Sequence, residues 1–431
     1  MNITDFSLKL NGFPIKEAQN KLREIQSITV SNYAAYVENA KSEIVQHHLT
    51  HNSFYKSVCK QGFTTWNELP ILTKKELQIP LKNRLSTGVT TKQVYVNKTS
   101  GSTGNPFYFA KDKFCHALTW AIIKNRFNWH DLYGTKQARF YGIPNETLPR
   151  LKERLKDFFS NRQRFNVFDL SDAAFDIWIT TFKTTPFVFL NGYTTVILAF
   201  ANYLNSKQLV LKDICPSLKA CVVTSEMCFE EDKIVMTKAF GVPIINEYGA
   251  SELDLIAFQN TKNQWLINTE ALYIEIVDNK DNPLPYGETG RIIVTALYNK
   301  AHPFIRYDLG DLGSLKYCDA KTIILEKLEG RKEDYVHLPS GKIAPGLTFY
   351  YITKSIMKDN GAVKDIKVLQ TTIDSFEIHY TAQQQLPEQQ QNLIRNALYN
   401  YLEPNLYITF HKFEQLKRSK SGKLKQFTSL I

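Results

Sequence analysis

Asn97-Lys98-Thr99-Ser100-Gly101-Ser102-Thr103-Gly104-Asn105-Pro106 lies between two short runs of apolar alternation, the second at Phe107 to Ala110. Strand, loop, strand is the local reading, because hydroxyl and glycine residues cluster where the alternation stops. Glycines let several backbone N–H groups converge on one anion without a Cβ in the way, and hydroxyls add donors for phosphate oxygens. The GK[ST] ending of a nucleoside triphosphatase loop is missing, and a strand rather than a helix follows, so this is not a P-loop. Alone, the segment reads equally as a phosphate cradle or a plain turn.

Working outward, helical spacing without an interrupting proline runs from about Ile15 to Val58, and the histidines His47, His48 and His51 within it read as a solvated helix face. Downstream, helical stretches at Phe114 to Arg126 and Ser171 to Phe182 alternate with strands at Phe187 to Leu190 and Ala220 to Thr224. That alternation predicts an α/β protein with a covered sheet. From Ala271 to Leu315, Ile- and Val-rich strands separated by turns such as DNKDNPLPYGETG predict a barrel-like, antiparallel portion. A break near Gly330 precedes a β-β-α-β pattern of 365–369, 375–381, 387–402 and 407–413. The fold class expected is therefore α/β, with a large domain over 1–329 and a small α+β domain over 330–431 on a hinge.

The 431 residues, 43% of them hydrophobic, suffice for a large core. Lys and Arg exceed Asp and Glu by 53 to 42, a net charge of +11 that suits anionic partners or a solvated basic surface. No nucleic-acid motif accompanies that charge, so nucleic acid is not expected. Six scattered cysteines without a CxxC pair point away from disulfides and zinc ribbons, towards a reduced cytoplasmic setting. The most apolar stretch, VILAFA at Val196 to Ala201, is too short to span a bilayer, and no secretory signal is read at the N-terminus.

Four more segments carry chemistry. Asn246-Glu247-Tyr248-Gly249-Ala250-Ser251-Glu252 follows a strand expected at Val242 to Ile245, where a carboxylate can hold Mg2+ against a phosphate and a ring can face a base. In Pro303 to Asp311, Asp308 and Asp311 sit in a glycine turn; one can accept ribose hydroxyls, or the turn is salt-bridged by Arg306. Gly330-Arg331-Lys332-Glu333-Asp334 marks the break, and Arg418-Ser419-Lys420-Ser421-Gly422-Lys423 reads as a loop presenting one lysine or as a basic tail.

In order and spacing these five segments resemble the adenylate-forming superfamily of acyl-CoA synthetases, adenylation domains and luciferases. Trp66 to Lys74, Leu190 to Thr195, Thr224-Ser225-Glu226 and Gly287 to Thr295 make the chain most similar to the phenylacetate-CoA ligase branch and its CapK-like relatives of polysaccharide biosynthesis. The resemblance implies an AMP-forming acid ligase: a small carboxylic acid becomes an acyl-adenylate with release of pyrophosphate, then passes to an acceptor, CoA or an amine on a sugar or amino acid. It assigns Thr99, Ser100, Gly101, Ser102, Thr103 and Gly104 to the ATP phosphates, with Asn246, Tyr248, Gly249 and Ser251 around AMP. Glu252 would bind Mg2+, Asp311 the ribose, and Arg331 the ribose and phosphate. Lys423 would be the mobile catalytic lysine, Glu333 the hinge, and Tyr141, Gly192, Tyr193 and Glu226 the acyl pocket. Relatives that hold zinc use Cys and His after the YGxSE-like segment; Leu253 to Asn268 has neither, so no zinc is expected. An inactive binding protein on the same fold is the alternative of another class.

Overall fold

A computed structural model describes residues 8–59, 62–99, 107–141, 157–331, 335–345, 363–418 and 424–431. It divides into two compact units, Met1–Leu309 with Gly313–Lys327, and Gly310–Leu312 with Leu328–Ile431.

The N-terminal lead-in forms helices α1 (Ile15–Ser27), α2 (Val30–His51) and α3 (Ser53–Val58). Ile15, Ala18, Leu22 and Ile25 recur on one face of α1 and are buried there. The histidine cluster is a solvated face only in part: His51 is exposed and His47 half-buried, but His48 departs from that reading. His48 is fully buried and its Nε2–H donates to the Asn299 carbonyl at 2.9 Å, while His47 reaches the Lys300 carbonyl at the same distance. Sequence spacing places these rings on α2 but cannot show that a distant turn covers them.

The hairpin β1 (Tyr95–Lys98) and β2 (Tyr108–Lys111) pairs antiparallel from Tyr95↔Lys111 to Lys98↔Tyr108. Helix α4 (Lys113–Asn128) follows at once, capped by the Asp112 carboxylate accepting the Cys115 N–H at 2.8 Å. Then come β3 (Gln137–Phe140), β4 (Arg162–Arg164), α5 (Asp172–Thr184), β5 (Phe189–Tyr193), α6 (Thr194–Ser206), α7 (Leu211–Ile214), β6 (Ala220–Thr224), α8 (Glu230–Phe240) and β7 (Ile244–Ala250). β8 (Asp254–Gln259), β9 (Trp265–Ile267), β10 (Leu272–Val277), β11 (Gly290–Ala296), β12 (Tyr307–Tyr317) and β13 (Ile323–Arg331) complete one sheet of 11 strands, ordered β10-β11-β12-β13-β9-β8-β7-β6-β5-β3-β4.

β4, β3, β5, β6 and β7 are parallel, and β7, β8 and β9 antiparallel. The DNKDNPLPYGETG turn joins β10 and β11 in an antiparallel hairpin from Leu272↔Ala296 to Val277↔Arg291, so the strands read as barrel-like are the antiparallel wing of the same sheet. Both faces of the parallel part are covered. Leu190, Cys221 and Val223 pack with Phe175, Trp178 and Phe200 of α5 and α6, whereas Phe189, Ala220 and Val222 pack with Leu118 and Ile122 of α4. A sheet buried on both faces explains why these strands read as continuous apolar runs.

The second unit contains β14 (Tyr335–His337), β15 (Ile343–Pro345), β16 (Val363–Gln370), β17 (Ser375–Ala382), helix α9 (Glu388–Tyr401), β18 (Tyr407–Phe413) and β19 (Phe427–Ser429). Its four-stranded sheet is ordered β18-β17-β16-β19, with β19 added to the four elements legible in sequence. Ile394 and Leu398 of α9 close its core against Val368, Ile378 and Phe427.

Burial gives the first unit a pH dependence. Desolvation drives both His48 and His116 down to about 4. An unfolded histidine titrates near 6.5, so between these values the unfolded chain binds more protons and stability falls as pH falls. The midpoint of thermal unfolding should hold above about pH 6.5 and drop steeply towards pH 4.5, with His48→Gln reducing the drop. A flat profile would contradict the buried neutral histidines.

Candidate active site

Strand register assembles the site. Pairing sets Phe140 beside Gly192, Gly192 beside Val223, and Val223 beside Asn246. One residue further on, Tyr193, Thr224 and Glu247 form the last row, with Tyr141 just beyond β3. This row is the carboxyl-terminal edge of the parallel strands, where open α/β sheets bind ligands. Tyr141, Gly192, Tyr193 and Asn246, drawn from distant parts of the sequence, thus share one edge.

Close approach there requires glycine. A Cβ on Gly192 would lie 2.4 Å from the Phe140 carbonyl oxygen, and one on Gly249 would lie 2.3 Å from the Asp254 carbonyl oxygen. Gly249 follows a register shift after Tyr248, which bends β7 into the turn that carries Glu252. The strand expected to end at Ile245 therefore runs on through Ala250, so Asn246, Tyr248 and Gly249 are strand residues and only Ser251 and Glu252 lie in the turn. A glycine inside the NEYGASE run reads as a loop signal; the paired neighbour β8 overrides it.

Tyr248 is buried, 8% exposed, with Trp265 edge-on at 6.1 Å between ring centroids. Ser251 is exposed. The Glu252 carboxylate is buried and accepts the Tyr307 hydroxyl at 2.9 Å. Beside it, the buried Lys111 of β2 forms an ion pair with Asp254 at the start of β8. That pair ties the β1–β2 hairpin to the turn bearing Glu252, and Lys111 and Glu252 line the same small cavity with Asn268 and Tyr298. At the hairpin end, Thr99 N–H donates to the Phe107 carbonyl at 2.9 Å and Phe107 N–H to the Thr99 hydroxyl at 3.2 Å. Residues 100–106, which include Ser100, Gly101, Ser102, Thr103 and Gly104, lie outside the described residues, as do Glu333 and Lys423.

Glu226 anchors a helix. Its carboxylate accepts the Thr195 N–H at 2.8 Å and its carbonyl accepts the Thr194 hydroxyl at 3.3 Å, so it caps the first turn of α6, where the helix dipole favours an anion. Tyr141 and Tyr193 meet at 4.8 Å between centroids. Burial pushes the Tyr141 phenol well above its ordinary range, and it raises the Glu247 carboxyl too, against the opposing pull of Thr224 and Arg139.

The Pro303 to Asp311 segment departs from its reading as a salt-bridged glycine turn. Most of it is strand β12, with a kink at Gly310 (φ 78°). Arg306 does not bridge the turn: it is fully buried, pairs with Glu275 at 2.9 Å and donates to the carbonyls of Asn67 and Leu69. Asp308 pairs instead with Arg291 at 2.9 Å. Asp311 sits half-buried just after the kink, in the stretch that groups with the second unit, and Arg331 ends β13. Sequence reasoning gave no role to Lys111, Asp254 or Tyr307, and the pairing of Lys111 with Asp254 and of Tyr307 with Glu252, at least 55 positions apart, leaves no local signal.

No protein-family model matches the chain. A stretch of 141 residues is 28% identical to phenylacetate-coenzyme A ligase of Thermus thermophilus; it spans 30% of this chain and only 31% of that protein's length. Among solved structures, 2-hydroxyisobutyryl-CoA ligase in its postadenylation state, with the adenylate R3-HIB-AMP, has a TM-score of 0.71 over 91% of this chain and 88% of that one, at 12% identity. An amide bond synthetase from Marinactinospora thermotolerans has a TM-score of 0.55 at 12% identity, covering 78% of this chain and 69% of its own. An anthranilate CoA ligase complexed with anthranoyl-AMP also scores 0.55, at 14% identity over 76% of this chain and 64% of that chain. Along nearly its whole length the chain shares the fold of these acyl-CoA and amide-forming ligases, and its local sequence match is to phenylacetate-coenzyme A ligase.

Proposed function

We propose that this protein is an ATP-dependent, AMP-forming acid ligase that converts a small carboxylic acid to its acyl-adenylate, releases pyrophosphate and transfers the acyl group to a second substrate. The observation that carries the reading is the convergence of Tyr141, Gly192, Tyr193, Asn246 and Glu247 on one sheet edge, followed directly by the turn that bears Glu252. The Lys111–Asp254 pair brings the hairpin of the Thr99 loop to that turn, which supports a nucleotide whose phosphates meet both.

In this reading the loop from Thr99 to Gly104 grips the terminal phosphates, Tyr248 and Asn246 flank the base, and Asp311 and Arg331 serve the ribose. Glu252 is suited to Mg2+, because that ion commonly uses one or two protein carboxylates and completes its shell with substrate phosphates and water. Tyr307 holds one oxygen of that carboxylate at 2.9 Å and fixes its orientation. The ion would offset phosphate charge as the acid attacks. Tyr141 and Tyr193 wall the acyl group, and Glu226 keeps α6 in place beside them. Glu333 would be the hinge of a rotation that withdraws Lys423 before the second step.

CoA is the acceptor favoured by the sequence match to a coenzyme A ligase. The likeness to an amide bond synthetase favours, as a second reading, an amine acceptor of the kind CapK-like relatives suggest in polysaccharide biosynthesis. A cytoplasmic site of action goes with either cosubstrate. No helix among the described residues is long and apolar enough to cross a membrane. The test is acid-dependent exchange of labelled pyrophosphate into ATP across a panel of small acids, followed by addition of CoA and then of amines. Exchange that needs no acid, or none with any acid, would sink the assignment.

A further inference from the structure

We propose that Arg139 sets the specificity of the acyl pocket, selecting a small acid whose far end carries a second carboxylate. The inference rests on placing that pocket at the carboxyl-terminal edge of β3 to β7, as above.

Arg139 occupies β3, paired in register with Arg164 on β4 and with Asn191 on β5. Three guanidinium groups therefore crowd two neighbouring strands. Arg162 and Arg164 both engage Asp157, the latter at 2.7 Å. Arg139 has no such arrangement. Among the described residues no carboxylate lies within ion-pairing distance of it, and its buried Nε has no hydrogen-bond partner. Its guanidinium instead lies over the Tyr141 ring, 4.2 Å from the centroid, and Tyr141 in turn meets Tyr193.

An arginine does not lose its proton to relieve burial, so a charge held in this way is costly until an anion meets it. Burial, opposed by Tyr141 and Asp157 and reinforced by Arg162 and Arg164, disfavours its charged form. Glu247 does not close the gap: three strands across on the same sheet face, it feels the attraction of Arg139 but forms no ion pair with it. What remains is a rigid cationic fork stacked on an aromatic wall at one end of the row, with the nucleotide turn at the other. A carboxylate matches such a fork with two parallel hydrogen bonds, and a methyl group in its place leaves the guanidinium unpaired. A substrate bound beside Tyr141 and Tyr193 would present its far carboxylate to Arg139 and its other carboxylate towards the nucleotide turn.

The test compares straight-chain dicarboxylates of about three to six carbons with methyl-ended monocarboxylates of equal length, since loss of a buried polar partner discriminates far more than a methylene does. In pyrophosphate exchange, kcat/KM for the best diacid should exceed that of its monoacid by about 100-fold or more. Arg139→Gln should collapse that ratio towards one, and Arg139→Lys should recover part of it. Equal loss for both acids in Arg139→Gln, or a wild-type preference for monoacids, overturns the proposal.

Calorimetric binding of the diacid without ATP separates this inference from the reading it rests on. Diacid binding that Arg139→Gln abolishes, with no exchange for any acid, upholds the arginine site and defeats adenylation. Exchange with monoacids and no diacid binding does the reverse.

Discussion

Acid-dependent pyrophosphate exchange is expected to fall by about 100-fold or more in Lys423→Ala, while ATP still binds, because a single preorganised group at developing charge is worth that much. In the proposed reaction a carboxylate attacking the α-phosphate would bring two anions together, and one ammonium reaching over both would offset their repulsion as the bond forms. Lys423 itself lies outside the described residues, but the described residues on either side of it are anchored. Upstream, Arg418 donates to Asp365 at 3.1 Å; downstream, the buried Leu424 leads into Phe427 of β19. Removing the ammonium therefore leaves these anchors in place, and the thermal midpoint should stay within a degree or two of wild type. Nucleotide binding and exchange, measured side by side, check the result. Undiminished exchange in the variant would remove Lys423 from the mechanism.

Arg306→Met should destabilise the first unit by about 3–5 kcal/mol, the usual consequence of leaving the other half of a buried ion pair alone. Arg306 is 0% exposed and Glu275 nearly so, and the same carboxylate also accepts the Trp66 indole N–H at 2.6 Å. The guanidinium additionally holds the carbonyls of Asn67 and Leu69, so the loss also frees the 66–72 stretch that Leu72 secures by backbone bonds to Arg306 and Asp308. Arg306 already adopts a left-handed backbone, φ 46°, and methionine inherits the same strain, so the difference reports the side chain. Pairing it with Glu275→Met should recover a large part of the loss, since two apolar groups do not leave a bare charge. Denaturant unfolding of the two variants decides it; equal destabilisation of the single and double variants would deny that the stranded carboxylate is the cause.

These outcomes divide along the line between local and distant information. Strand and helix identity was legible wherever neighbours in sequence decide it: α4, α5, β6 and α9 fall where periodicity places them, and the two-sided apolar runs of β5 and β6 announce a covered parallel sheet. The Ser, Thr and Gly cluster after Thr99, the turn acids and the C-terminal lysine are likewise local features, and the exchange experiments test their proposed roles. What periodicity could not reach was register and pairing. β7 continues through Gly249 because β8 folds back on it, His48 is buried because Asn299 lies over it, and Arg306 turns to Glu275 rather than to its neighbours Asp308 and Asp311.

The sequence alone determined the order of elements and the chemical types gathered in its turns, since each follows from backbone preference and apolar spacing within a few residues. Only the tertiary structure decided which side chains share the sheet edge and which buried charges find partners. Arg139, Lys111 and Glu252 owe their surroundings to strand pairing and to partners distant in sequence, and no local pattern encodes where such a charge meets its counter-ion.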